Sequence, residues 1–428
     1  MIPPIYLIVL LSVFVFYCIV KMFRKGDDVQ AFFFFFLYLY SIFAQIGYVY
    51  FPELSMLMRA YFGIELFYKY WLFIFLSFVG TYFVYCFLLP KKLSSISYVI
   101  REGCHRNASF LSINVLLLII LYVYFVQNRS LFGWGGASPM GNVWFVIGFR
   151  IHTICTFILY ALLRSKSKTS LVFKLLFIVD FIFFLQVTFA AGVRSAIVSF
   201  FMSILFFELF PFFYSLKYRK KKILRFLGLS VCLVIALSAL LNIRAQETVS
   251  ITSLVKSGEQ ENDQSFYEKI LMQDYYAPSH TLFVSMRYEY VDFWETMKSN
   301  FANSLVKMNY PYLTEKIVAI VNGTQERGVG WAYHLFVEGY NAWGMLGFIY
   351  NAFILNLGIL LWSFFYNSNN LFFNRIMLSF VASLIIGATR GQSCAFIQSS
   401  WMFLIPAIFL LVLATNSKFF LKVKKYAK

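Results

Sequence analysis

The chain has 428 residues, of which 61% are hydrophobic and only 13% are charged, and its formal net charge is +18. This composition excludes an ordinary water-soluble domain, in which about a quarter of the residues are charged. Apolar runs of about 18 or more residues recur along the chain, and each can cross a bilayer as a helix. These runs do not alternate as barrel strands do, so we expect an all-α, polytopic bundle of about eleven transmembrane helices.

The apolar runs predict membrane spans throughout the chain except for one long segment. The spans are predicted at 4–21, 30–50, 70–89, 109–127, 143–163, 171–190, 196–214, 224–243, 343–363, 373–389 and 397–415. They divide the chain into 1–243 with the first eight spans, a large loop over 244–342, and 343–428 with the last three spans and a tail. Residues 1–20 lack a basic start and a cleavage site, so we expect the first span to remain in place. The loop 51–69 is apolar enough for a re-entrant segment.

The basic residues orient the chain in the membrane. Loops on one side of the predicted spans hold more than half of the 37 lysines and arginines, whereas the short loops on the other side hold few. Because short basic loops stay in the cytoplasm, we expect the C-terminus inside and the N-terminus outside. The run from Lys217 to Arg225 and the basic tail after Lys418 then anchor the chain on the anionic inner leaflet, and no nucleic-acid partner is expected.

The segment 244–342, on the outer side, differs in kind from the other loops. It holds most of the 19 acidic residues and is net negative. A stretch of about a hundred residues is too long for a bare connection. Apolar residues at helical spacing in 264–277 and 279–307 predict a small helical cap on the membrane surface. None of the six cysteines lies in this loop and no CxxC occurs, so neither a disulfide framework nor a zinc site is expected.

Arginines on the outer side are the first candidates for chemistry, because positive residues are otherwise scarce there. The candidates for binding an anion are Arg194, Arg244, Arg287, Arg327 and Arg390. A single arginine of this kind is equally well explained by snorkelling to lipid headgroups. Three at span ends beside one acidic loop favour convergence on an anion, because a guanidinium binds phosphate oxygens at two points and keeps its charge.

A second group of candidates lies in segment 328–347, GVGWAYHLFVEGYNAWGMLG. His334 and Glu338 are four residues apart, which predicts that they share one helix face. Either is a candidate general base for a sugar hydroxyl, and a surface His–Glu pair is the alternative interpretation. No third ligand stands at a recognisable spacing, so no metal is expected. Gly344 and Gly347 are expected to serve tight helix packing.

A third group combines aromatic and polar residues of the outer loop. Asp274 is a further candidate catalytic residue, and Tyr275, Tyr276, His280 and Tyr340 are candidates for binding a glycan. Aromatic rings beside carboxylates suit carbohydrate, through stacking and hydrogen bonds. The same tyrosines suit a membrane-interface belt, since the chain has 29 of them.

Four charged or titratable residues lie inside predicted spans and are expected to pair across helices. They are Arg150, His152, Asp180 and Glu208. No P-loop, GxSxG, HExxH or dinucleotide fingerprint occurs in the chain, so ATP-driven transport and hydrolase chemistry lose support.

Two motifs then stand in a suggestive order. Gly-Val-Arg-Ser at 192–195 opens a mid-chain span, and Glu-Gly-Tyr-x-x-x-Gly-x-x-Gly at 338–347 follows the long outer loop. This arrangement resembles the O-antigen polymerases, the Wzy family, of Gram-negative bacteria, and Arg194 matches the arginine of the first motif. Segment 334–347 also resembles the O-antigen ligases, although Leu335 stands where the ligases carry a polar residue.

The resemblance to the polymerases implies an inner-membrane glycosyltransferase of GT-C-like architecture with its site on the periplasmic side. It implies an undecaprenyl-pyrophosphate-linked oligosaccharide as donor, a second lipid-linked repeat unit as acceptor, and no cofactor. Membrane lipids and a separate chain-length regulator are the implied partners. Two alternatives stay open: an O-antigen ligase that uses the same donor, and a lipid-linked oligosaccharide flippase or other transporter, for which short loops and a charged central cavity are typical.

Overall fold

The computed structural model describes most of the predicted spans and part of the outer loop. The described residues are 4–25, 27–43, 52–88, 96–101, 108–129, 142–165, 171–191, 194–214, 277–304, 311–322, 333–368, 370–415 and 418–423. The helices are α1 Pro4–Lys25, α2 Asp28–Ser41, α3 Pro52–Leu88, α4 Ala108–Gln127, α5 Val143–Ser165, α6 Leu171–Ala191, α7 Arg194–Tyr214, α8 Ala277–Arg287, α9 Phe293–Ser304, α10 Leu313–Asn322, α11 Leu335–Trp343, α12 Gly347–Tyr366, α13 Leu371–Thr389, α14 Cys394–Ser399 and α15 Ile405–Thr415. A 3₁₀ turn joins α11 to α12, and a π-helical turn joins α14 to α15.

The prediction of an all-α membrane protein is confirmed for the described residues, with one small addition. Two strands, β1 Ile96–Arg101 and β2 Lys418–Val423, pair antiparallel, with Ile96 opposite Val423 and Arg101 opposite Lys418. Both strands are rich in β-branched and aromatic residues, which favour extended pairing over a helix.

Eight helical segments among the described residues are long and apolar enough to cross a membrane, and two of them include the 3₁₀ or the π-helical turn. They are Tyr6–Lys25, Glu65–Phe87, Ala108–Gln127, Val143–Ser165, Leu171–Ala191, Leu335–Tyr366, Leu371–Thr389 and Cys394–Thr415. Shorter apolar helices, Val29–Ser41 and Ala196–Glu208, stand at two further predicted spans. The predicted span 224–243 lies outside the described residues. The chain is therefore a multi-pass membrane protein by the length and composition of its helices, and the count of eleven stays a prediction.

The segment predicted as the loop 51–69 is helical from Pro52 onward and continues into the next span. Helix α3 has 37 residues in total. Proline suits the first position of a helix because its missing N–H would have no partner there. Leucine, methionine and alanine dominate the residues that follow, and these are strong helix formers. Hydropathy alone marked only the second half of this helix.

The described residues group into two compact units. The first lies within 1–94, 263–364 and 385–398, and the second within 95–262, 365–384 and 399–428. Helices α8 to α11, which fall in or at the edge of the predicted outer loop, therefore belong to the first unit together with α1 to α3.

The core of the first unit is built from aromatic contacts between outer-loop helices and spans. The rings of Tyr70 in α3 and Phe283 in α8 stack with centroids 4.2 Å apart, and the Tyr70 hydroxyl donates to the carbonyl of Ser41, 2.7 Å away. Trp362 in α12 packs on Phe396 in α14, and its indole N–H donates to the Phe396 carbonyl over 3.1 Å. These buried rings hold α8 against α3 and α12 against α14.

Candidate functional site

The candidate site lies in the first unit and begins with a close approach of two helices. Helices α11 and α12 touch at backbone level, because a Cβ on Gly347 would collide with the carbonyl of Gly339, and a Cβ on Gly339 would collide with Asn351 and Gly347. The prediction of tight packing is thus confirmed for Gly347. Gly344 has a different role, since its φ of 60° makes the turn between the two helices and favours glycine.

Helix α9 presents a polar face to the interior of this unit. Asp292 caps the helix, because its carboxylate accepts from the backbone N–H of Glu295 at 2.9 Å. Buried polar residues then recur every three or four positions at Thr296, Ser299, Asn300, Asn303 and Ser304. Helical periodicity therefore places them on one face.

The carboxylate of Glu338 is the centre of the polar interior. Glu338 lies in the first turn of α11 and is fully buried. Its Oε1 accepts from Asn300 Nδ2 at 2.7 Å, from the hydroxyl of Tyr350 at 2.5 Å, and from Ser393 Oγ at 2.7 Å. Its Oε2 accepts from the backbone N–H of Ser393 at 2.6 Å. Four donors from α9, α12 and the turn before α14 thus converge on one side chain.

This convergence gives Glu338 a positioning role. Three of the four donors share Oε1 and one binds Oε2, so the carboxylate ties α9, α11, α12 and the 390–393 turn together. Each carboxylate oxygen has two lone pairs, so Oε2 can still accept one more hydrogen bond. The role of Glu338 as a catalytic base stays a prediction.

His334 is the candidate base that has no side-chain hydrogen bond to the described residues. Its backbone is extended, with φ −132° and ψ 155°, and it immediately precedes α11. The prediction that His334 and Glu338 lie on one helix is wrong in this respect, because the helix starts after His334. The surface-pair alternative is also wrong, because both side chains are fully buried.

The imidazole of His334 carries two unused hydrogen-bonding atoms. Neither Nδ1 nor Nε2 has a hydrogen-bond partner in the described part of the chain, and the ring meets Phe336 edge-on at 6.0 Å. Burial lowers the pKa of His334 to about 3, so the ring is neutral at pH 7. A neutral imidazole with one free lone pair and one free N–H can accept a proton and donate a hydrogen bond.

Other unpartnered acceptors belong to the same polar faces. The side-chain oxygens of Asn300 in α9 and Asn341 in α11 are buried without a hydrogen bond in the described residues. Asn341 Nδ2 donates to the hydroxyl of Tyr333 over 3.3 Å, and burial raises the pKa of that tyrosine well above its usual range. Buried unpartnered polar atoms are uncommon in folded proteins, and these two oxygens can each accept a hydrogen bond.

Arg390 lies in the turn that ends at Ser393, between α13 and α14. It follows α13, and its guanidinium lies over the ring of Tyr40 with 5.6 Å to the centroid. Its backbone N–H donates to the carbonyl of Ile386 over 3.3 Å. Because Ser393 is bound to Glu338, the carboxylate fixes the turn that carries Arg390.

The remaining predicted site residues do not join this group. Arg287 is exposed at the end of α8. Tyr340 is buried, with its ring edge-on to Phe73 and Lys69 Nζ 5.8 Å from its centroid, so it presents no face to a glycan. His280 lies in α8 and Arg194 opens α7, but their side chains are outside the described part of the chain. The other predicted residues lie wholly outside it: Arg244, Asp274, Tyr275, Tyr276 and Arg327.

The in-span acids of the second unit are paired across helices, as predicted. Asp180 in α6 contacts His152 Nε2 in α5 at 3.2 Å and accepts from Asn114 Nδ2 in α4 at 2.6 Å. Glu208 in α7 accepts from Arg164 Nε in α5 at 2.7 Å. These pairs account for both acids.

Arg150, in the same unit, contacts a sulfur and an aromatic ring. Its Nη1 is 2.6 Å from Met402 Sδ, and its guanidinium is 5.2 Å from the centroid of the Phe403 ring. Among the residues that the structure describes, no group of three or more histidine, cysteine, aspartate or glutamate side chains is arranged to hold a metal.

Sequence reasoning missed the donors that surround Glu338. Asn300, Tyr350 and Ser393 are ordinary polar residues that no motif marks. One signal was present: Ser299, Asn300 and Asn303 form a polar stripe on a helix whose other face carries Trp294 and Phe301. In a helix on a soluble domain this pattern predicts the reverse, a buried aromatic face and a solvated polar face, so the stripe alone did not identify the donors.

Comparison with known proteins identifies no relative of the chain. No protein-family model, no curated protein and no solved structure matches the chain.

Proposed function

We propose that the chain polymerises a bacterial surface polysaccharide such as O antigen. In this proposal it is a glycosyltransferase of GT-C-like architecture that joins undecaprenyl-pyrophosphate-linked repeat units on the periplasmic side of the inner membrane. The N-terminus is then periplasmic and the C-terminus cytoplasmic. Membrane lipids and a chain-length regulator are its expected partners.

The observation that carries the proposal is the set of unpartnered polar atoms around a fixed carboxylate. His334, Asn300 and Asn341 offer buried nitrogen and oxygen atoms that lack donors in the described residues. A sugar brings several hydroxyl groups, each of which donates one hydrogen bond and accepts others. Glycan hydroxyls therefore fit these atoms, and an apolar ligand would leave them unsatisfied.

The proposed reaction needs no nucleotide sugar. The hydroxyl oxygen of the acceptor's terminal sugar bonds to the anomeric carbon of the donor, while the bond from that carbon to the pyrophosphate oxygen breaks. His334 takes the hydroxyl proton, and undecaprenyl pyrophosphate leaves with the bonding electrons. A general base is most effective when its pKa lies near the working pH, so in this scheme the bound pyrophosphate raises the low pKa of His334 by stabilising the protonated ring.

Arg390 stabilises the leaving group in this scheme. Negative charge develops on the pyrophosphate as the bond breaks, and a positioned guanidinium stabilises that charge more in the transition state than in the ground state. The Glu338–Ser393 hydrogen bonds hold the turn in place, so the arginine is positioned before the substrate arrives.

The test uses the native host with its chromosomal copy deleted and variants supplied in trans. We expect His334→Gln and Arg390→Ala each to leave lipopolysaccharide with a single repeat unit at normal protein levels. Lys174→Ala, in the second unit, is the matched control and should give the full ladder. A full ladder from both site variants would refute the assignment of these residues.

The deletion strain separates the polymerase from its alternatives. A polymerase deletion leaves single repeats on lipopolysaccharide. A ligase deletion leaves polymer on undecaprenyl pyrophosphate and bare lipid A core. The transporter is the second candidate, because a buried His152–Asp180 pair inside two spans is also typical of ion-coupled transport. Repeat units trapped on the cytoplasmic leaflet would favour it.

A further inference from the structure

Helix α9 is amphipathic in the opposite sense to a helix on a soluble domain. Its uncharged polar residues are buried, whereas Trp294 is 71% exposed and Phe301 is 75% exposed. The exposed residues Trp294, Lys298 and Phe301 follow one another at intervals of four and three, so they form one outward stripe. We call these three residues the outer stripe of α9.

Water is an unfavourable environment for this stripe. Burying apolar area is worth about 25 cal/mol per Å², and two large aromatic side chains expose a large part of theirs here. Lys298, between them, is exposed and has a long apolar stem with a charged end. Aromatic rings flanking a lysine are the composition expected at the headgroup level of a bilayer, where rings sit at the boundary and lysine reaches the phosphates.

The outer stripe lies beside an exposed apolar row on a helix long and apolar enough to span a membrane. The row begins at Leu346 in the 3₁₀ turn and continues along α12 at intervals of three or four positions through Ile349, Phe353, Leu357 and Leu361. Phe293 at the start of α9 stacks on the exposed Trp343, with ring centroids 6.2 Å apart. Trp343 directly precedes the turn into α12.

A second contact fixes the same junction. The backbone N–H of Asp292 donates to the carbonyl of Asn341 over 2.7 Å, and a Cβ on Gly344 would lie 3.6 Å from Val291 Cγ2. The start of α9 is therefore attached to the end of α12 at which the exposed apolar row begins. All of these residues belong to the first unit.

We infer that α9 lies in the lipid–water interface of the membrane, with Trp294 and Phe301 against phospholipid and Lys298 at the headgroup phosphates. The partner is the bilayer itself. Because the inner face of the same helix carries Asn300, the polar site lies at headgroup depth. A phosphate attached to a membrane-embedded polyprenyl chain lies at that depth too.

The inference is tested by photo-crosslinking from single positions in the full chain, in nanodiscs of phosphatidylethanolamine and phosphatidylglycerol. Phe301 is replaced by p-benzoyl-phenylalanine, a change that keeps an aromatic side chain at an exposed position. The same replacement at Phe353, in the exposed row of α12, is the matched positive control. After irradiation, mass spectrometry should find a phospholipid adduct at both positions, with yields within about two-fold of each other.

Two outcomes at position 301 would overturn the inference. One is no lipid adduct while position 353 gives one, and the second is a crosslink to another copy of the chain. Lys298→Gln tests the headgroup contact. In that variant the fraction of the lipid adducts at position 301 that contain phosphatidylglycerol should fall about two-fold. An unchanged fraction would refute the role of Lys298. The readout needs no enzymatic activity, so it fails or succeeds independently of the proposed function.

Discussion

Two buried acidic clusters show opposite solutions to holding a carboxylate inside a membrane protein. In the second unit, Glu208 meets the cationic Arg164, so the two side chains neutralise each other. In the first unit, Glu338 is held by the neutral donors of Asn300, Tyr350 and Ser393. Neutral donors satisfy the oxygens without supplying an opposite charge. The Arg164–Glu208 cluster is therefore a closed ion pair, whereas the Glu338 cluster holds its carboxyl group by neutral hydrogen bonds beside unpartnered polar atoms.

The largest effect is expected from removing the neutral cluster. Glu338→Ala leaves the Ser393 N–H and the Asn300, Tyr350 and Ser393 side chains without their acceptor. Each unsatisfied buried donor costs about 1–3 kcal/mol, so we expect a loss of about 4 kcal/mol of stability, together with loss of the polymer ladder. Thermal unfolding in detergent micelles measures the first and lipopolysaccharide gels the second. An unchanged melting temperature would show that the four hydrogen bonds do not hold the site together.

A nearly equal effect is expected from the backbone contact beside Glu338. Gly347→Ala forces a methyl group into the Gly339 carbonyl, and we expect a loss of about 3 kcal/mol. Gly387→Ala is the matched control, since a Cβ there meets nothing within 4 Å and lies inside helix α13. That variant should be neutral or more stable by about 0.5–1 kcal/mol, because alanine favours helix. Equal melting temperatures for the two variants would contradict the packing described here.

Removing the cation of the closed pair should be milder. Arg164→Ala takes away two hydrogen bonds from Glu208, whose Tyr160 donor remains at 2.9 Å. Hydrogen bonds to charged groups contribute about 1.5–3 kcal/mol, so we expect a loss of about 2 kcal/mol. The polymer ladder should persist at matched protein levels. Loss of the ladder in a stably folded Arg164→Ala variant would break the distinction between the clusters.

The pH dependence of stability sharpens the comparison further. The pKa of His334 is about 3 in the folded chain and about 6.5 when unfolded, so between these values the unfolded chain binds a proton that the folded chain excludes. The free energy of unfolding therefore falls as the pH decreases from about 6.5 toward 3. At pH 4.5, two units below the unfolded value, this costs about 2.7 kcal/mol. The drop in melting temperature from pH 7 to pH 4.5 should be smaller in His334→Gln than in the unmodified chain.

The smallest effect on stability is expected for His334→Gln at neutral pH. The ring makes no hydrogen bond to the described residues, so replacing it removes none. Because the side chain is fully buried, we expect a loss of about 1 kcal/mol, the typical value for a point substitution. The polymer ladder should nevertheless disappear. A larger loss of stability, together with loss of activity, would indicate a structural role for the histidine.

The sequence allowed the spans to be predicted well where a single apolar run makes a helix. The predicted span 109–127 and the helix Ala108–Gln127 agree to within a residue, because hydropathy is a local property. Hydropathy missed the first half of Pro52–Leu88, where the helix extends beyond the apolar run. It also missed the helix before span 343–363, where Gly344 separates α11 from α12.

The site was only partly predictable, because its contacts join distant positions. Segment 334–347 and Arg390 were both marked by their residue types. The hydrogen bond from Ser393 to Glu338 crosses 55 positions and the one from Asn300 crosses 38, and no local pattern indicates either. The contrast between Glu338, which accepts four hydrogen bonds, and His334, which has none among the described residues, depends on these contacts.

The pairing of β1 with β2 has a consequence for the time course of synthesis. Residues 96–101 emerge from the ribosome early, but their partner, 418–423, is made only after the intervening spans. During that interval the first strand is an unpaired edge, the kind of segment that pairs with other chains. Slower synthesis of the intervening residues would lengthen this interval. Newly made protein should then be lost to aggregation even where the finished fold is fully stable.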